Sequence, residues 1–156
     1  MSARMKHPAM IVPDTMQAVL ALGAAVNKSD VPKRTLTLMQ LRASQINGCG
    51  FCVDMHAREL RTDGDSDERI AAVAAWRDTP YFDDAERAAL ALTEAATRLS
   101  DRADPVDDAT WNEAARHYDE RALAALVLNI GLINLWNRLN VTTRQVAARF
   151  SRSRRL

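Results

Sequence analysis

Apolar residues recur along this chain at intervals of three and four, and no strict alternation persists beyond a few residues. The pattern predicts helices throughout. Met16, Val19, Leu20 and Leu22 follow Pro13-Asp14-Thr15 and mark a first helix that dissolves at Asn27-Lys28-Ser29-Asp30. A second begins near Pro32, whose fixed φ suits a first turn, and carries Leu36, Met39, Leu41 and Ala43 to Ile46. Asn47-Gly48 breaks it, and a third helix starts at Cys49 and continues to the region of Arg61. Asp65 with Glu68 has the spacing of a capping box and opens a fourth helix that ends near Trp76. Asp83 with Glu86 repeats that spacing and opens an alanine-rich fifth helix to Leu99. A short sixth carries Trp111 and Ala114 to Tyr118. From Glu120 onward the chain reads as a long apolar helix, followed by a polar one after Asn140. The connections are short, which suits antiparallel neighbours. The expected fold is therefore all-α: one domain over residues 1–156, about seven helices, a short N-terminal arm and a basic C-terminal tail.

Composition narrows the class. A chain of 156 residues has the size of one domain and buries roughly 68–70% of its unfolded surface on folding, so it needs no disulfide scaffold. Its two cysteines stand three positions apart. A Cys49–Cys52 bridge would close a loop of a few residues and constrain the unfolded chain very little, so chemistry is the better reason for the pair. Glycine is scarce, against an all-β sandwich. The apolar stretch from Ala122 to Trp136 is interrupted by Asn129, Gly131 and Asn134 and reads as too short and too polar for a membrane span. Met1 to Lys6 does not lead into a signal-type apolar run. A net charge of +1 excludes a strongly basic protein, and Arg149 to Arg155 reads as a solvated, frayed helix end. The expectation is a reducing, cytoplasmic location with neither nucleic acid nor membrane as partner.

One segment carries chemistry: Asn47-Gly48-Cys49-Gly50-Phe51-Cys52-Val53-Asp54-Met55-His56. Cysteines three apart at a helix start lie on one face, close enough for a reversible disulfide. The helix N-terminus favours thiolate over thiol. His56 follows Cys52 by four residues, so its imidazole can sit one turn above that sulfur and exchange a proton with it. Gly48 and Gly50 leave room for an approaching partner. A structural zinc site would need four ligands, and beyond Cys49, Cys52 and His56 only His7 and His117 remain, both isolated in sequence. No metal and no other cofactor is expected. A thioredoxin fold lacks its βαβ pattern here. A thiol redox centre on a helical scaffold is the favoured reading.

Three blocks then carry a resemblance: Leu41-Arg42-Ala43-Ser44-Gln45-Ile46-Asn47-Gly48-Cys49 with Cys52 and Met55-His56, Asp84-Ala85-Glu86-Arg87-Ala88-Ala89-Leu90, and Ile133-Asn134-Leu135-Trp136-Asn137-Arg138-Leu139-Asn140. Together they resemble the carboxymuconolactone decarboxylase superfamily in its alkylhydroperoxidase D-like (AhpD-like) branch. The resemblance implies a helical bundle that assembles as trimers or hexamers, and peroxidase or disulfide reductase chemistry without haem, metal or flavin. It implies a hydroperoxide or small disulfide as substrate and a dithiol or thioredoxin-like protein as reductant. Carried over, Cys52 attacks the peroxide with His56 in its proton relay, and Cys49 resolves the oxidised sulfur and meets the reductant.

Two positions depart from the branch. Its relay glutamate stands twelve residues before the first cysteine, where this chain has Thr37, and the founding type has a histidine where this chain has Phe51. Glu86 and Gln45 are the candidate substitutes for the relay carboxylate, although Glu86 also fits a plain helix-capping role. On this reading Thr37→Glu restores the relay and raises turnover. Trp136, Asn137, Arg138 and Asn140 read either as a wall of the thiol pocket or as residues satisfying a buried helix. Two rivals stay open: a redox-sensing or binding module in which the pair switches a contact, and a carboxymuconolactone decarboxylase-type enzyme, which does not need the cysteine pair.

Overall fold

The structure is a computed structural model that describes residues 2–101 and 103–147. It contains α1 (Thr15–Val26), α2 (Lys33–Ile46), α3 (Gly50–Thr62), α4 (Asp67–Ala72), α5 (Asp84–Thr97), α6 (Asp108–His117) and α7 (Glu120–Thr143). Short 3-10 turns lie at Pro8–Met10, Val73–Asp78 and Leu99–Asp101, and the described residues include no strand. The all-α bundle expected from the periodicity is the observed fold. The basic stretch Arg149–Arg155 lies outside the described residues.

Most helix starts follow from their caps. Asp83 accepts the Glu86 N–H at 2.8 Å while Glu86 accepts the Asp83 N–H at 3.2 Å, the reciprocal box that opens α5. Asp107 and Asp119 cap α6 and α7 by accepting the Thr110 and Ala122 N–H groups. Removing such a cap exposes an orphan donor, so Asp83→Ala is expected to lower stability by about 1 kcal/mol, read from the urea midpoint. The box expected at Asp65 and Glu68 does not form. Ser66 is the N-cap of α4 and accepts the Arg69 N–H at 3.2 Å, whereas Asp65 is buried between Arg34 and Arg69. α4 also stops at Ala72, because Ala75 leaves helical geometry (φ −126°, ψ 36°) and Val73–Asp78 tightens into a 3-10 turn.

α7 corrects a second boundary. Instead of breaking into a polar helix after Asn140, it runs on to Thr143 and ends at Arg144 in the left-handed region (φ 54°). The polarity at Asn140 belongs to a buried contact with Cys52, described below. α7 is long and apolar enough, by length and composition, to cross a bilayer, but it packs on α1, α2 and α5 with half of its apolar window buried. It also holds Asn129, Asn134, Asn137 and Asn140 inside the fold.

α2 is the central helix, packed on α3, α5 and α7. Leu36 and Met39 face α5 and α7 with Leu92, Leu126 and Ile130. Leu38 and Leu41 face the other way, toward Leu60, Trp76, Phe82 and Leu90. Each such leucine adds roughly 1.5–3 kcal/mol of apolar burial. Amides register α7 on α2: the Asn129 amide donates to the Leu36 carbonyl at 3.0 Å and its oxygen accepts from Gln40 at 2.7 Å. The Asn137 amide reaches the Ser44 hydroxyl at 3.0 Å. A third cluster joins Ala43, Cys49, Cys52 and Ile133 at the end of α2, where the chain turns into α3.

Candidate active site

The cysteine pair is placed by that turn. Gly48 takes φ +66°, a region that L side chains rarely adopt, and reverses the chain after α2. Cys49 then becomes the N-cap of α3, and its N–H donates to the Ser44 carbonyl at 3.0 Å. Cys52 sits one turn on. Its backbone N–H donates to Cys49 Sγ at 3.4 Å, and the two free sulfurs are 2.6 Å apart, both buried. The N-cap role usually filled by Ser, Thr, Asp or Asn is here filled by a sulfur.

This arrangement splits the two thiols. The hydrogen bond donated by Cys49 lowers the Cys52 pKa; burial opposes it, and Asn140, whose amide reaches Cys52 Sγ at 3.3 Å, Asn137 and His56 add smaller lowering effects, bringing it down to about 6. Cys49 moves the other way, because it holds its proton for Cys52 and is itself buried. The ranking matters: Cys49 is the main stabiliser of the Cys52 thiolate and His56 a minor one. A proximity-to-the-dipole argument would favour Cys49 as the acidic thiol; the hydrogen bond outweighs it.

A pH signature follows. A thiol in the unfolded chain ionises near about 8.5. From about pH 6 up to that value the unfolded chain holds a proton that folded Cys52 has released, so stability of the reduced protein rises with pH. Above that window the sign reverses, since folded Cys49 keeps a proton that the unfolded chain loses. The melting midpoint of the reduced protein, referred to a Cys49→Ala/Cys52→Ala double variant, is expected to climb and then fall across this range.

His56 lies in α3 one turn beyond Cys52 and is 5% exposed. Its Nδ1 is 3.4 Å from Glu59 Oε2, and its Nε2 is buried without a hydrogen-bond partner. Glu59 in turn pairs with Lys33 of α2 at 3.2 Å, and Lys33 also holds Asp63 at 3.0 Å. The hydrogen bond with His56 is the largest cause of a lowered Glu59 pKa, with burial opposing and Lys33 assisting. A carboxylate kept ionised on Nδ1 favours a proton there and leaves Nε2 as the basic nitrogen. Glu59 was not singled out from the sequence, although its i, i+3 spacing from His56 is a legible signal.

The other candidates are placed as follows. Thr37 is buried and its hydroxyl donates to the Lys33 carbonyl at 3.1 Å. α2 and α3 run antiparallel, with Lys33 opposite Glu59 at one end and Ser44 beside Cys49 at the other, so Thr37 lies along α2 toward the level of His56. Glu86 is not brought to His56: one carboxylate oxygen pairs with Arg69 and the other accepts the Asp83 N–H. Gln45 accepts from Arg42 at 3.3 Å. The capping role thus accounts for Glu86, and the carboxylate that faces His56 comes from the histidine's own helix.

Cys52 and His56 lie on the wall of a cavity of about 480 Å³, with Phe51, Met55, Ile133 and Trp136 beside them. Asn140 and Trp136 therefore belong to the pocket. His7, isolated in sequence, also lies on this wall, its ring 5.5 Å from that of Trp136. Among the described residues no three His, Cys, Asp or Glu side chains are grouped to hold a metal ion. Cys49 borders a second depression, formed with Gly48, Gly50 and Val141, which adjoins the cavity along Phe51, Asn140 and Gln145. Cys52 thus lines the cavity and Cys49 the depression beside it.

Residues 13–95, which run from α1 into α5 and include the cysteine pair, His56 and Glu59, match the carboxymuconolactone decarboxylase family. The chain belongs to that family. YdfG of Bacillus subtilis, an uncharacterized protein, is 34% identical over 88% of this chain and 92% of its own length. A crystal structure of a protein of unknown function from Agrobacterium tumefaciens, described as a putative antioxidant defence protein AhpD, superposes with a TM-score of 0.88 at 34% identity, covering 95% of this chain and 99% of that one. The alkyl hydroperoxide reductase AhpD of Hyphomonas neptunium is 43% identical over 58 residues, which is 37% of this chain and 32% of that AhpD. Within the carboxymuconolactone decarboxylase family the chain lies in the AhpD-like branch. The family match leaves the N-terminal arm, α6 and α7 outside, so Asn140, Trp136 and His7 reach the site from beyond the matched span.

Proposed function

We propose that this chain is a thiol-dependent antioxidant oxidoreductase that reduces a hydroperoxide or a small disulfide through Cys52 and Cys49. The observation that carries the reading is an acid-shifted Cys52 on a cavity wall, hydrogen-bonded by Cys49 and one helical turn from a basic, unpartnered His56 Nε2. In the cycle, His56 takes the Cys52 proton, and the thiolate attacks the terminal oxygen of R–O–OH. The O–O bond breaks, a sulfenic acid forms on Cys52, and the departing alkoxide takes the proton back from His56 as ROH. The Cys49 thiol then displaces hydroxide from Cys52 as water, forming the disulfide. A dithiol donor reduces that disulfide by exchange, with the depression beside Cys49 as its approach. A disulfide substrate follows the same path, its first thiol leaving in place of the alcohol.

The AhpD name carried by relatives supports this chemistry. A reducing location such as the cytoplasm suits a pair that cycles as a dithiol. Trp111, Val127 and Leu128 are exposed around a groove between α6 and α7, an apolar surface of the sort that oligomer contacts cover, and a trimer or hexamer is the assembly proposed. Sedimentation of the intact protein reads that mass. The function is tested by following hydroperoxide loss with the dithiol donor varied. Consumption far beyond one equivalent per chain, rising with donor, is expected. Consumption that stops at one equivalent whatever the donor would make the pair a sensor.

A further inference from the structure

The cavity beside Cys52 has a wall that the family match does not contain. The arm preceding α1 folds back over the C-terminal end of α7 and is fastened there. The Arg4 N–H donates to the Thr143 carbonyl at 2.8 Å, the Arg4 guanidinium to the Thr142 carbonyl at 3.0 Å, and the Gln145 amide to the Met5 carbonyl at 3.1 Å. Ala9 is buried, and the turn Pro8–Met10 is capped by His7 Nδ1, which accepts the Ala9 N–H at 3.2 Å. Asp14, at φ 61°, then turns the chain into α1. So held, the arm brings His7 and Met10 to the cavity, which Met16 and Leu20 of α1 and Leu132 of α7 also line.

The chemistry of the lining is specific. His7, Gln40, Cys52, His56, Asn140 and Gln145 supply its polar atoms and the rest of the lining is apolar; no Asp, Glu, Lys or Arg is among its lining residues. His56 lines this space, is more than nine-tenths buried, and its Nε2 has no hydrogen-bond partner. Met10, Met16, Leu20, Met55 and Leu132 line the cavity with side chains that adapt to irregular apolar shapes. A volume of about 480 Å³ falls in the range of small-molecule sites, roughly 300–1,000 Å³. Such a cavity takes a ligand with one hydrogen-bonding end and an uncharged, bulky apolar body. A carboxylate on that body would find no Lys or Arg to meet it.

We infer that the N-terminal arm is the specificity element of this site: with Met10 as its apolar face, it makes Cys52 select neutral aryl or branched-alkyl hydroperoxides over hydrogen peroxide and over carboxylate-bearing ones. For the identity of the substrate this rests on the peroxidase reading; the selectivity of the cavity itself does not. Met10 is a positioning residue that touches the body of the ligand and not its reacting atoms. At 58% exposure it tolerates a charged substitution without loss of the fold.

The test compares alkylation of Cys52 by N-phenylmaleimide and by iodoacetamide, mapped by peptide mass and divided by the same ratio for glutathione. Wild type is expected to favour the aryl reagent by about tenfold, the effect of seating one apolar group. Met10→Glu, and a variant lacking residues 2–12, are expected to bring the ratio close to that of glutathione. Met5→Glu, on the arm but off the cavity, is expected to keep it. In turnover Met10→Glu raises KM for cumene hydroperoxide by a larger factor than that for hydrogen peroxide. A wild-type ratio equal to that of glutathione, or an unchanged ratio in Met10→Glu, overturns the inference. The alkylation ratios are read from peptides, so a protein without hydroperoxide turnover yields them just the same and only the peroxidase reading then falls.

Discussion

Cys49→Ala is expected to raise the Cys52 pKa from about 6 toward an ordinary thiol and to arrest the cycle at sulfenic acid. The Cys49 thiol is the strongest single cause of the lowered value, ahead of Asn140, Asn137 and His56. Removing it leaves Cys52 buried with weaker donors, and burial then pushes its pKa up. Against an unperturbed thiol near about 8.5, the thiolate fraction at pH 7 falls by about thirtyfold. Cys49→Ser separates the two roles of this residue. Its hydroxyl keeps a donor at the N-cap and retains much of the acidity, yet it cannot form a disulfide and also stops at sulfenic acid. His56→Ala, by contrast, is expected to shift the pKa far less while slowing the proton-dependent steps. Alkylation rates of Cys52 across pH 5–9 distinguish the three variants. A larger shift in His56→Ala than in Cys49→Ala would reverse the ranking argued above.

The second large effect concerns the relay. Glu59→Gln keeps the shape of the side chain and removes the charge that faces His56 Nδ1, so turnover is expected to fall at least about tenfold. Resemblance to the AhpD-like branch places a glutamate at the position of Thr37, which suggests from sequence alone that Thr37→Glu raises turnover. The structure changes that expectation, because Glu59, held by Lys33, already faces the histidine. Thr37→Glu by itself is expected to give no gain. In the Glu59→Gln background it is expected to recover part of the lost rate, since α2 carries Thr37 toward the level of His56. The readout is the pH profile of kcat/KM: a shifted acid limb in Glu59→Gln and its return in the double variant. A Glu59→Gln protein with wild-type rates across pH would place the histidine's partner elsewhere.

What the chain discloses before folding is local. The starts of α2 and α5 follow from Pro32 and from the Asp83–Glu86 box, and the i, i+4 relation of Cys52 and His56 is visible because both lie on one helix. Local spacing also misleads. Asp65 and Glu68 have box spacing, but Asp65 is drawn into a buried pair with Arg34 and Arg69, and Ser66 takes the cap. Asn140 looks like a helix end because an amide in an apolar run is costly unless bonded; its bond is to Cys52, 88 residues earlier. His7 appears isolated for the same reason, since Trp136 and the α7 terminus that hold the arm lie far along the chain. Glu59 differs from these: its spacing from His56 was there to be read, and the family pattern drew attention to Glu86 and Thr37 instead.

The central claim is that Cys52 is the attacking sulfur and Cys49 the resolving one. A single turnover without donor tests it most directly: hydroperoxide is added to the reduced protein, its loss is measured, and the products are mapped by peptide mass. Wild type should consume one equivalent and end with a Cys49–Cys52 disulfide. Cys49→Ser should consume one equivalent and end with sulfenic acid on Cys52, and Cys52→Ser should consume none. Hydroperoxide loss that persists in Cys52→Ser, or a sulfenic acid that forms first on Cys49, would contradict it.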